Sequence, residues 1–500
     1  MKRKKEYKFD NQDLKKLGFY DKDLLKAAGK TATLLLKEEK YSRDMLELHL
    51  AAILENPQKY QDLPDWAKLA QNVLLRKENN HFVAQTEKVF ALKENYSPYS
   101  VFGEADIDQA ARNQMDIAMR LPISVAGALM PDAHSGYGLP IGGVLATEID
   151  KIIPFAVGVD IACRMCLSVF ELPAEYIQKN ENKLKNLLLQ NTRFGTGNGF
   201  EKPLEDSLFE KDTWNSTKVI KNLMPKAIKQ IGSSGTGNHF VEWGILQIVT
   251  PNNPWQLEPN RYLALLSHSG SRGFGANIAE YYSKLAMQLT KLPEHAKHLA
   301  WLDLNTEAGQ EYWIAMNLAG EYASANHHHI HRRMATSLEL KPLFMVENHH
   351  NFAWRETLSN GKEVMVHRKG ATPASVGELG IIPASMTDKG YLVKGKGNEN
   401  AIHSASHGAG RRMSRSKAFQ QITKEQLSTV LQEQKVMLIG GDLDEAPMAY
   451  KNIEQVMAAQ QDLVEIIGSF QPKIVRMADK ETPKWRLKKG NKNDDLFSES

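Results

Sequence analysis

The stretch MPDAHSGYGLPIGGVLA at residues 130–146, followed by VGVDIACRM at 157–165, is the most informative part of the sequence for the fold. Both segments set single Asp, His or Cys residues among glycines and short apolar runs, as expected of tight turns at strand ends where the backbone approaches a ligand closely. Strand-like runs and helices such as residues 311–333 do not alternate regularly along the chain. A doubly wound parallel sheet is therefore disfavoured, and the sequence predicts an α+β fold with mixed sheets and surrounding helices.

Composition divides the chain into three regions. Residues 1–95 are polar with apolar residues at helical spacing, which predicts a helical accessory module that carries no chemistry. Residues 96–480 are rich in glycine and form the predicted catalytic domain, whereas residues 481–500 form a charged carboxyl-terminal tail.

Bulk properties restrict the class of protein. The net charge is +4 over 500 residues, so any nucleic-acid site must come from local basic clusters. One such cluster contains Arg411, Arg412 and Arg415, for which we expect a role in binding phosphate. The amino terminus shows no apolar signal segment, no run is long enough to cross a membrane, and only two cysteines occur. We therefore expect a cytoplasmic protein without membrane association or disulfides.

Many histidines lie in loops of small residues, which favours a metal site assembled from several strand ends. Asp160 and Cys163 could serve the same ion or a pair of ions, and the long sequence separations to the histidines argue against a zinc finger. This ligand chemistry does not select a metal. Cys163 could instead be a small buried apolar residue, and Cys166 is assigned to the core.

Two further clusters are conspicuous. Glycines 232, 235 and 237 resemble a phosphate-binding loop, which gains weight from the Asn-His pair that follows it. The run His327 to His331 occurs late in a predicted helix, where consecutive residues point in different directions. For this run we expect a helix-surface or substrate-facing role in preference to metal binding.

The order of these motifs resembles that of the RtcB family of RNA ligases. The resemblance covers roughly residues 100–455, somewhat over two-thirds of the chain. It rests on the two segments quoted first and then, in order, on GTGNHFVE (235–242), SHSGSRG (267–273), HHNFA (349–353), HRKGATPA (367–374), IIPASM (381–386), SHGAGRRMSR (406–415) and DEAPMAYK (444–451).

The resemblance implies a reaction and its cofactors. It implies a GTP-dependent ligase that joins RNA ends carrying a 3′-phosphate or 2′,3′-cyclic phosphate to 5′-hydroxyl ends, through a guanylylated histidine at His407. It further implies two Mn²⁺ ions bridged by Cys163, one completed by Asp160 and His239 and the other by His268 and His350. The implied nucleotide contacts are Asn238, Phe240, Val241, Glu242, Asn351, Pro383, Ala384, Ser385, Met386, Gly408, Ala409, Gly410 and, at the carboxyl end, Lys480.

Departures from the family pattern leave alternatives open. Ala162 and Arg164 flank Cys163 where the family usually has glycines, and Arg164 could either contact an RNA phosphate or alter the metal loop. Two alternative functions on the same scaffold are a metal-dependent RNA-end phosphoesterase and a non-catalytic RNA-end sensor. Neither alternative requires a guanylylated residue at position 407.

Overall fold

The computed structural model describes residue 9 and residues 11–19, 22–38, 40–79 and 89–479. The chain divides into two compact units, Met1–Thr86 and Glu87–Ser500. This division falls a few residues before the end of the predicted accessory module. The assignment of an accessory role to the first unit remains a prediction.

The first unit is helical in its described part. Ser42 caps α3 by accepting a hydrogen bond from the Met45 amide, which fixes where that helix starts. Apolar side chains from the helices form a separate core that includes the fully buried Trp66. The helices are α1 (Asn11–Lys16), α2 (Lys22–Lys37), α3 (Arg43–Glu55) and α4 (Ala67–Asn79).

The second unit contains both strands and helices. Its strands are β1 (Ser100–Val101), β2 (Ser124–His134), β3 (Ile141–Glu148), β4 (Lys151–Ile152), β5 (Arg164–Pro173), β6 (Phe240–Ile248), β7 (Arg261–Ser269), β8 (Leu302–Asp303), β9 (Phe344–His349), β10 (Asn351–Thr357), β11 (Glu363–Lys369), β12 (Ala371–Pro373), β13 (Leu379–Ile382), β14 (Gly390–Gly395), β15 (Ser404–Ser406), β16 (Met437–Ile439) and β17 (Val464–Met477). Its helices are α5 (Gln109–Met119), α6 (Pro154–Val157), α7 (Glu175–Lys179), α8 (Glu181–Asn191), α9 (Lys218–Gln230), α10 (Arg272–Leu289), α11 (Glu307–Leu338), α12 (Arg415–Gln421), α13 (Lys424–Gln434) and α14 (Ile453–Ala458).

Two large mixed sheets organise this unit. One runs β1-β2-β3-β11-β10, with β1 parallel to β2 and the remaining pairs antiparallel. The other runs β13-β14-β17-β6-β7-β5-β9, and β16 pairs with β17 in parallel. Separate apolar clusters cover the two faces of the second sheet, so its central strands are buried on both sides. The predicted α+β class is confirmed.

The order of strands in the larger sheet brings the predicted metal ligands to one edge. In the antiparallel order β6-β7-β5-β9, the beginnings of β6 and β5 lie beside the ends of β7 and β9. The register pairs Phe240 with His268 and Arg164 with both Ser269 and His349. Residues just before β5 and β6, at the end of β7 and just after β9 must therefore meet.

Candidate active site

Five side chains predicted as metal ligands converge at this sheet edge. The Cys163 Sγ atom lies 3.1 Å from Nε2 of His268 and 3.5 Å from Nε2 of His239. The Nε2 atoms of His268 and His350 are 3.3 Å apart, and an Asp160 carboxylate oxygen lies 3.0 Å from Nε2 of His239. Cys163, His239 and His268 form a buried group with ligand-atom spacing suited to a metal ion. The Cys163 sulfur thus contacts ring nitrogens of two different histidines, His239 and His268.

Hydrogen bonds on the outer side of two imidazoles determine which nitrogens face the centre. Nδ1 of His239 lies 2.8 Å from the Ser234 carbonyl oxygen, and Nδ1 of His268 lies 3.2 Å from that of Asn238. A carbonyl only accepts, so each Nδ1 must donate, and in a neutral ring Nε2 is left with a lone pair. The lone pair of His239 then faces the Asp160 carboxylate directly, an arrangement that a cation between them would stabilise.

Burial keeps His268 and His350 free of competing protons. It lowers the pKa of His268 to about 3 and that of His350 well below its usual value. Burial alone would raise the pKa of the Asp160 carboxyl, but the protonated form of His239, which donates from Nε2 to this carboxylate, holds that pKa below its usual value; a bound cation would take the place of this proton. Burial and the Asp160 charge raise the pKa of the Cys163 thiol, so this thiol needs a cation to become a thiolate.

The backbone around the centre restricts the residues at positions 162 and 270. Ala162 adopts a positive φ of 57°, a conformation that costs a side-chain-bearing residue roughly 1–2 kcal/mol relative to glycine. Gly270 has no space for a side chain, because a Cβ atom there would lie 2.1 Å from an Asp160 carboxylate oxygen. Arg164 is buried and forms an ion pair of 3.0 Å with Glu347, which disfavours contact with an RNA phosphate, one of the two roles left open for it.

A cavity of about 500 Å³ opens onto the metal-ligand cluster. This volume lies within the range of small-ligand sites. Val241 does not line it, because this residue points to the opposite face of β6 and is buried in the core there. Lys480 lies outside the described residues. The other predicted nucleotide contacts line the cavity: Asn238, Phe240, Glu242, Asn351, Pro383, Ala384, Ser385, Met386, Gly408, Ala409 and Gly410.

His407 lines the same cavity, with its ring centroid 4.9 Å from that of His350. Its Nδ1 atom lies 2.7 Å from a carboxylate oxygen of Asp132, which is fully buried at the end of β2. The same oxygen accepts hydrogen bonds from the backbone amides of His407 and Gly408, at 3.1 and 3.3 Å. Burial would raise the pKa of Asp132, but the hydrogen bond and charge of His407 hold it below its usual value. The charged carboxylate thus fixes the ring orientation.

Asp132 was not predicted as a functional residue, although it lies in the first sequence segment quoted above, two residues before His134. The available signal was its place in the PDAH segment. A neighbouring cation also went unnoticed: the Lys451 ammonium donates to the carbonyl oxygens of Pro131 and Ala133, at 3.1 and 2.7 Å. Lys451 thereby holds the backbone on both sides of Asp132.

The basic group after His407 separates into paired and unpaired side chains. Arg411 forms an ion pair of 3.5 Å with Glu445, and Arg415 pairs with the same carboxylate and, at 2.7 Å, with Asp444. Arg412 is exposed and lines the cavity. Of the three arginines expected to bind phosphate, Arg412 is therefore the one whose charge is not already balanced within the described residues.

The expectation for the histidine run was wrong for three of its members. His327, His329 and His331 are buried, and only His328 is substantially exposed. His327 and His331, one turn apart, lie near Cys166 with spacing that could suit a metal. Their ring nitrogens are already occupied, however. Ser267 Oγ lies 2.7 Å from His327 Nδ1 and 2.8 Å from His331 Nε2. The other ring nitrogens also have partners: Nε2 of His327 contacts the Ser269 carbonyl oxygen, and Nδ1 of His331 contacts Ser168 Oγ. This is a satisfied hydrogen-bonded network behind the sheet.

Comparisons with known proteins identify a family. The family model for the tRNA-splicing ligase RtcB matches residues 114–478. The chain is 34% identical over 390 residues to the RNA-splicing ligase RtcB of Escherichia coli strain K12, covering 72% of this chain and 92% of that protein. It is 30% identical to the tRNA-splicing ligase RtcB of Methanococcus maripaludis, covering 65% and 82%.

The sheet edge with its thiol, imidazole and carboxylate groups defines an enzyme of RNA processing when taken together with these matches. The chain belongs to the RtcB family of RNA-splicing ligases. Among the described residues, no helix combines the length and apolar character that crossing a bilayer requires.

Proposed function

We propose that this RNA ligase uses GTP and two manganese ions to join RNA 3′-phosphate or 2′,3′-cyclic phosphate ends to 5′-hydroxyl ends, through a GMP adduct on His407. The main observation behind this proposal is the hydrogen bond of 2.7 Å between Nδ1 of His407 and the buried Asp132 carboxylate. The carboxylate accepts the Nδ1 proton, so Nε2 keeps the lone pair that a nucleophile needs. A non-catalytic RNA-end sensor would not need this pair, whereas a phosphoesterase could use it as a general base, so formation of the GMP adduct is what separates the proposal from that alternative.

The donor set fits a two-metal centre. Asp160, Cys163 and His239 would hold one ion, and Cys163, His268 and His350 the other. The close approach of the Asp160 and His239 acceptors supports this assignment. The family resemblance suggests manganese, whereas the mixed oxygen, nitrogen and sulfur donor set does not itself select a metal. Bound ions would offset the negative charge of the triphosphate and polarise its phosphorus–oxygen bonds.

The side chains around the cavity allow a balanced sequence of bond changes. Nε2 of His407 attacks the α-phosphorus of GTP, and the bond to pyrophosphate breaks. Asp132 stabilises the positive charge that develops on the imidazole. The RNA 3′-phosphate then displaces His407 from the GMP, and the 5′-hydroxyl attacks the activated 3′-phosphate and expels GMP. A cyclic phosphate end must first be opened by water.

Neighbouring polar groups hold the site in shape around the nucleotide. The Asn351 side chain accepts the Gly370 amide at 2.8 Å and donates to the Asp160 carbonyl at 3.2 Å, so it links the nucleophile's surroundings to the metal loop. Glu242 is buried in the cavity, and burial raises its carboxyl pKa well above the usual value. A protonated Glu242 can donate a hydrogen bond to a nucleotide acceptor.

The test is to locate the adduct. The protein is incubated with manganese and GTP labelled either on the α- or on the γ-phosphate, and the labelled peptide is identified. We expect an acid-labile α-label on His407 and no γ-label. Absence of the adduct, or its location on another residue, would refute the proposed mechanism, and retention of both labels would indicate simple nucleotide binding.

The free, buried state of both cysteines supports a reducing, cytoplasmic location for this reaction.

Replacing Arg412 with alanine is expected to slow RNA joining about tenfold while leaving formation of the His407 adduct nearly unchanged. The exposed guanidinium is free to bind an RNA phosphate near the nucleophile, whereas GTP does not require it. Joining and self-guanylylation are measured separately, with Arg355→Ala as the matched exposed arginine. Equal loss in both steps would instead assign Arg412 to the nucleotide.

A further inference from the structure

Three arginines from distant parts of the chain surround two phenylalanine rings outside the reaction cavity. They are Arg193, which follows α8, Arg333 on α11 and Arg476 on β17, and we call them the arginine cluster. The guanidinium carbons of Arg193 and Arg333 lie 4.7 and 4.2 Å from the ring centre of Phe200. Arg476 lies 5.6 Å from the ring centre of Phe194. The folded chain therefore gathers three like charges at one place.

The guanidinium groups of the cluster have acidic residues in their surroundings but no direct ion pair within the described residues. Within the described residues, no carboxylate forms an ion pair with any of the three guanidinium groups. Burial and the Arg193 charge lower the pKa of Arg333. Burial also lowers the pKa of Arg476, although the charge of Asp479 acts in the opposite direction and that of Arg193 adds to the lowering. Like charges so arranged destabilise the fold unless an anion binds among them.

The cluster also has more hydrogen-bond donors than acceptors. Nε of Arg333 and both Nε and Nη1 of Arg476 are buried without a partner in the described part of the chain. Arg193 donates to the carbonyl oxygens of Gln190 and Thr192, at 3.0 and 2.8 Å, and so caps the end of α8. Buried donors are usually satisfied, so a shortage of acceptors indicates a missing oxygen-rich ligand.

An open depression gives access to two of the arginines. Its acidic residues Glu201 and Glu205 are exposed, which leaves them free to turn toward solvent. Arginine beside an aromatic ring suits nucleic acid, because phosphate oxygens accept from the guanidinium and bases can stack on the ring. The lining residues are Arg193, Phe200, Glu201, Lys202, Pro203, Leu204, Glu205 and Arg333.

The depression is distinct from the reaction cavity but connected to it through the backbone. Val475 and Met477 line the cavity, whereas Arg476 between them points to the other face of β17. The Ser234 amide donates to the Arg193 carbonyl at 2.8 Å, and the Ser234 carbonyl meets Nδ1 of His239. A strand of RNA leaving the reaction centre would have to pass around the sheet to reach the cluster.

We infer that the arginine cluster binds backbone phosphates of the RNA substrate at a distance from the end being joined. This rests on the proposed function in that RNA is the ligand. The contact is independent of sequence and holds the body of the RNA while its end occupies the cavity. It gives the enzyme a preference for long or structured RNA over isolated short ends.

The experiment measures RNA binding by fluorescence anisotropy over a series of salt concentrations, without GTP. The probes are a labelled hairpin RNA with a single-stranded 3′-phosphate tail and a short single-stranded RNA with the same end. We expect the double variant Arg333→Glu with Arg476→Glu to bind the hairpin about tenfold more weakly, and its logarithmic salt slope to decrease by about 1 to 2. Binding of the short RNA should be unchanged.

A matched control carries the same change in net charge elsewhere. Arg355→Glu with Lys362→Glu alters two exposed basic residues on the β10–β11 hairpin and should leave hairpin-RNA binding within about twofold. The single variants Arg333→Gln and Arg476→Gln remove one repelling charge each and are expected to fold. Each should reduce the slope by about 1. Thermal unfolding of every variant verifies that it is folded.

Three outcomes would overturn the inference: unchanged hairpin affinity and slope in the glutamate and glutamine variants, an equal loss in the control, or an equal loss with the short RNA. Because binding needs neither GTP nor His407, these outcomes are separate from failure of the proposed mechanism. If the unaltered enzyme formed no adduct but the arginine variants bound the hairpin RNA more weakly, the inferred RNA site would stand and only the proposed chemistry would be refuted.

Discussion

Replacing Cys163 with alanine is expected to reduce formation of the His407 adduct at least about a thousandfold and to abolish tight manganese binding. The Cys163 sulfur lies within 3.5 Å of Nε2 of both His239 and His268, so it is the donor shared by the two halves of the centre. If the proposed two-ion centre is right, its loss would remove a ligand from both ions together. His268→Ala should have a similar effect, because this ring also contacts His350.

Cys166 provides a matched control for this experiment. It is the other buried thiol, three residues along the same segment, and it lies beside the satisfied network of His327 and His331. Cys166→Ala should retain manganese binding and adduct formation, with some loss of stability from the small cavity it leaves. Metal content is determined by mass spectrometry after gel filtration, and the adduct with labelled GTP. Normal metal content and adduct formation in Cys163→Ala would remove this residue from the metal centre.

The sequence was sufficient to predict that the glycine-rich loops meet, because each predicted ligand is adjacent to a strand-like run. His239 precedes β6 and His350 follows β9, and the antiparallel register then places them together. The α+β class followed from the irregular order of strands and helices. Strand ends can be predicted from local pattern, whereas the neighbour of each strand cannot.

Predictions failed where a long-range partner determines the role of a side chain. His327 and His331 occur on a polar-looking helical run, but α11 is enclosed by other elements and both rings bond to serines of β5 and β7. Arg415 looked like a free phosphate ligand, yet Asp444 neutralises it from a later loop. Charge balance depends on which loops pack together, which one sequence does not reveal.

The pair between Asp132 and His407 is the clearest case, since 275 residues separate its members. Asp132→Asn is expected to slow adduct formation about a hundred- to a thousandfold while leaving GTP affinity nearly unchanged. Asparagine can still accept the amides of His407 and Gly408, so the loop should keep its shape. It lacks the charge that stabilises the imidazole as a bond forms at Nε2, and its amide group can impose the wrong tautomer.

The split between rate and affinity distinguishes a positioning role for Asp132 from a merely structural one. Single-turnover guanylylation gives the rate, and equilibrium binding of a non-hydrolysable GTP analogue gives the affinity. Asp108→Asn serves as the control, because Asp108 also lines the cavity and caps α5, a position where asparagine is equally suitable. This control should react at nearly the normal rate. Parallel loss of rate and affinity in Asp132→Asn would mean that the carboxylate supports the fold of the nucleotide site, and an unchanged rate would show that His407 needs no charged partner to react.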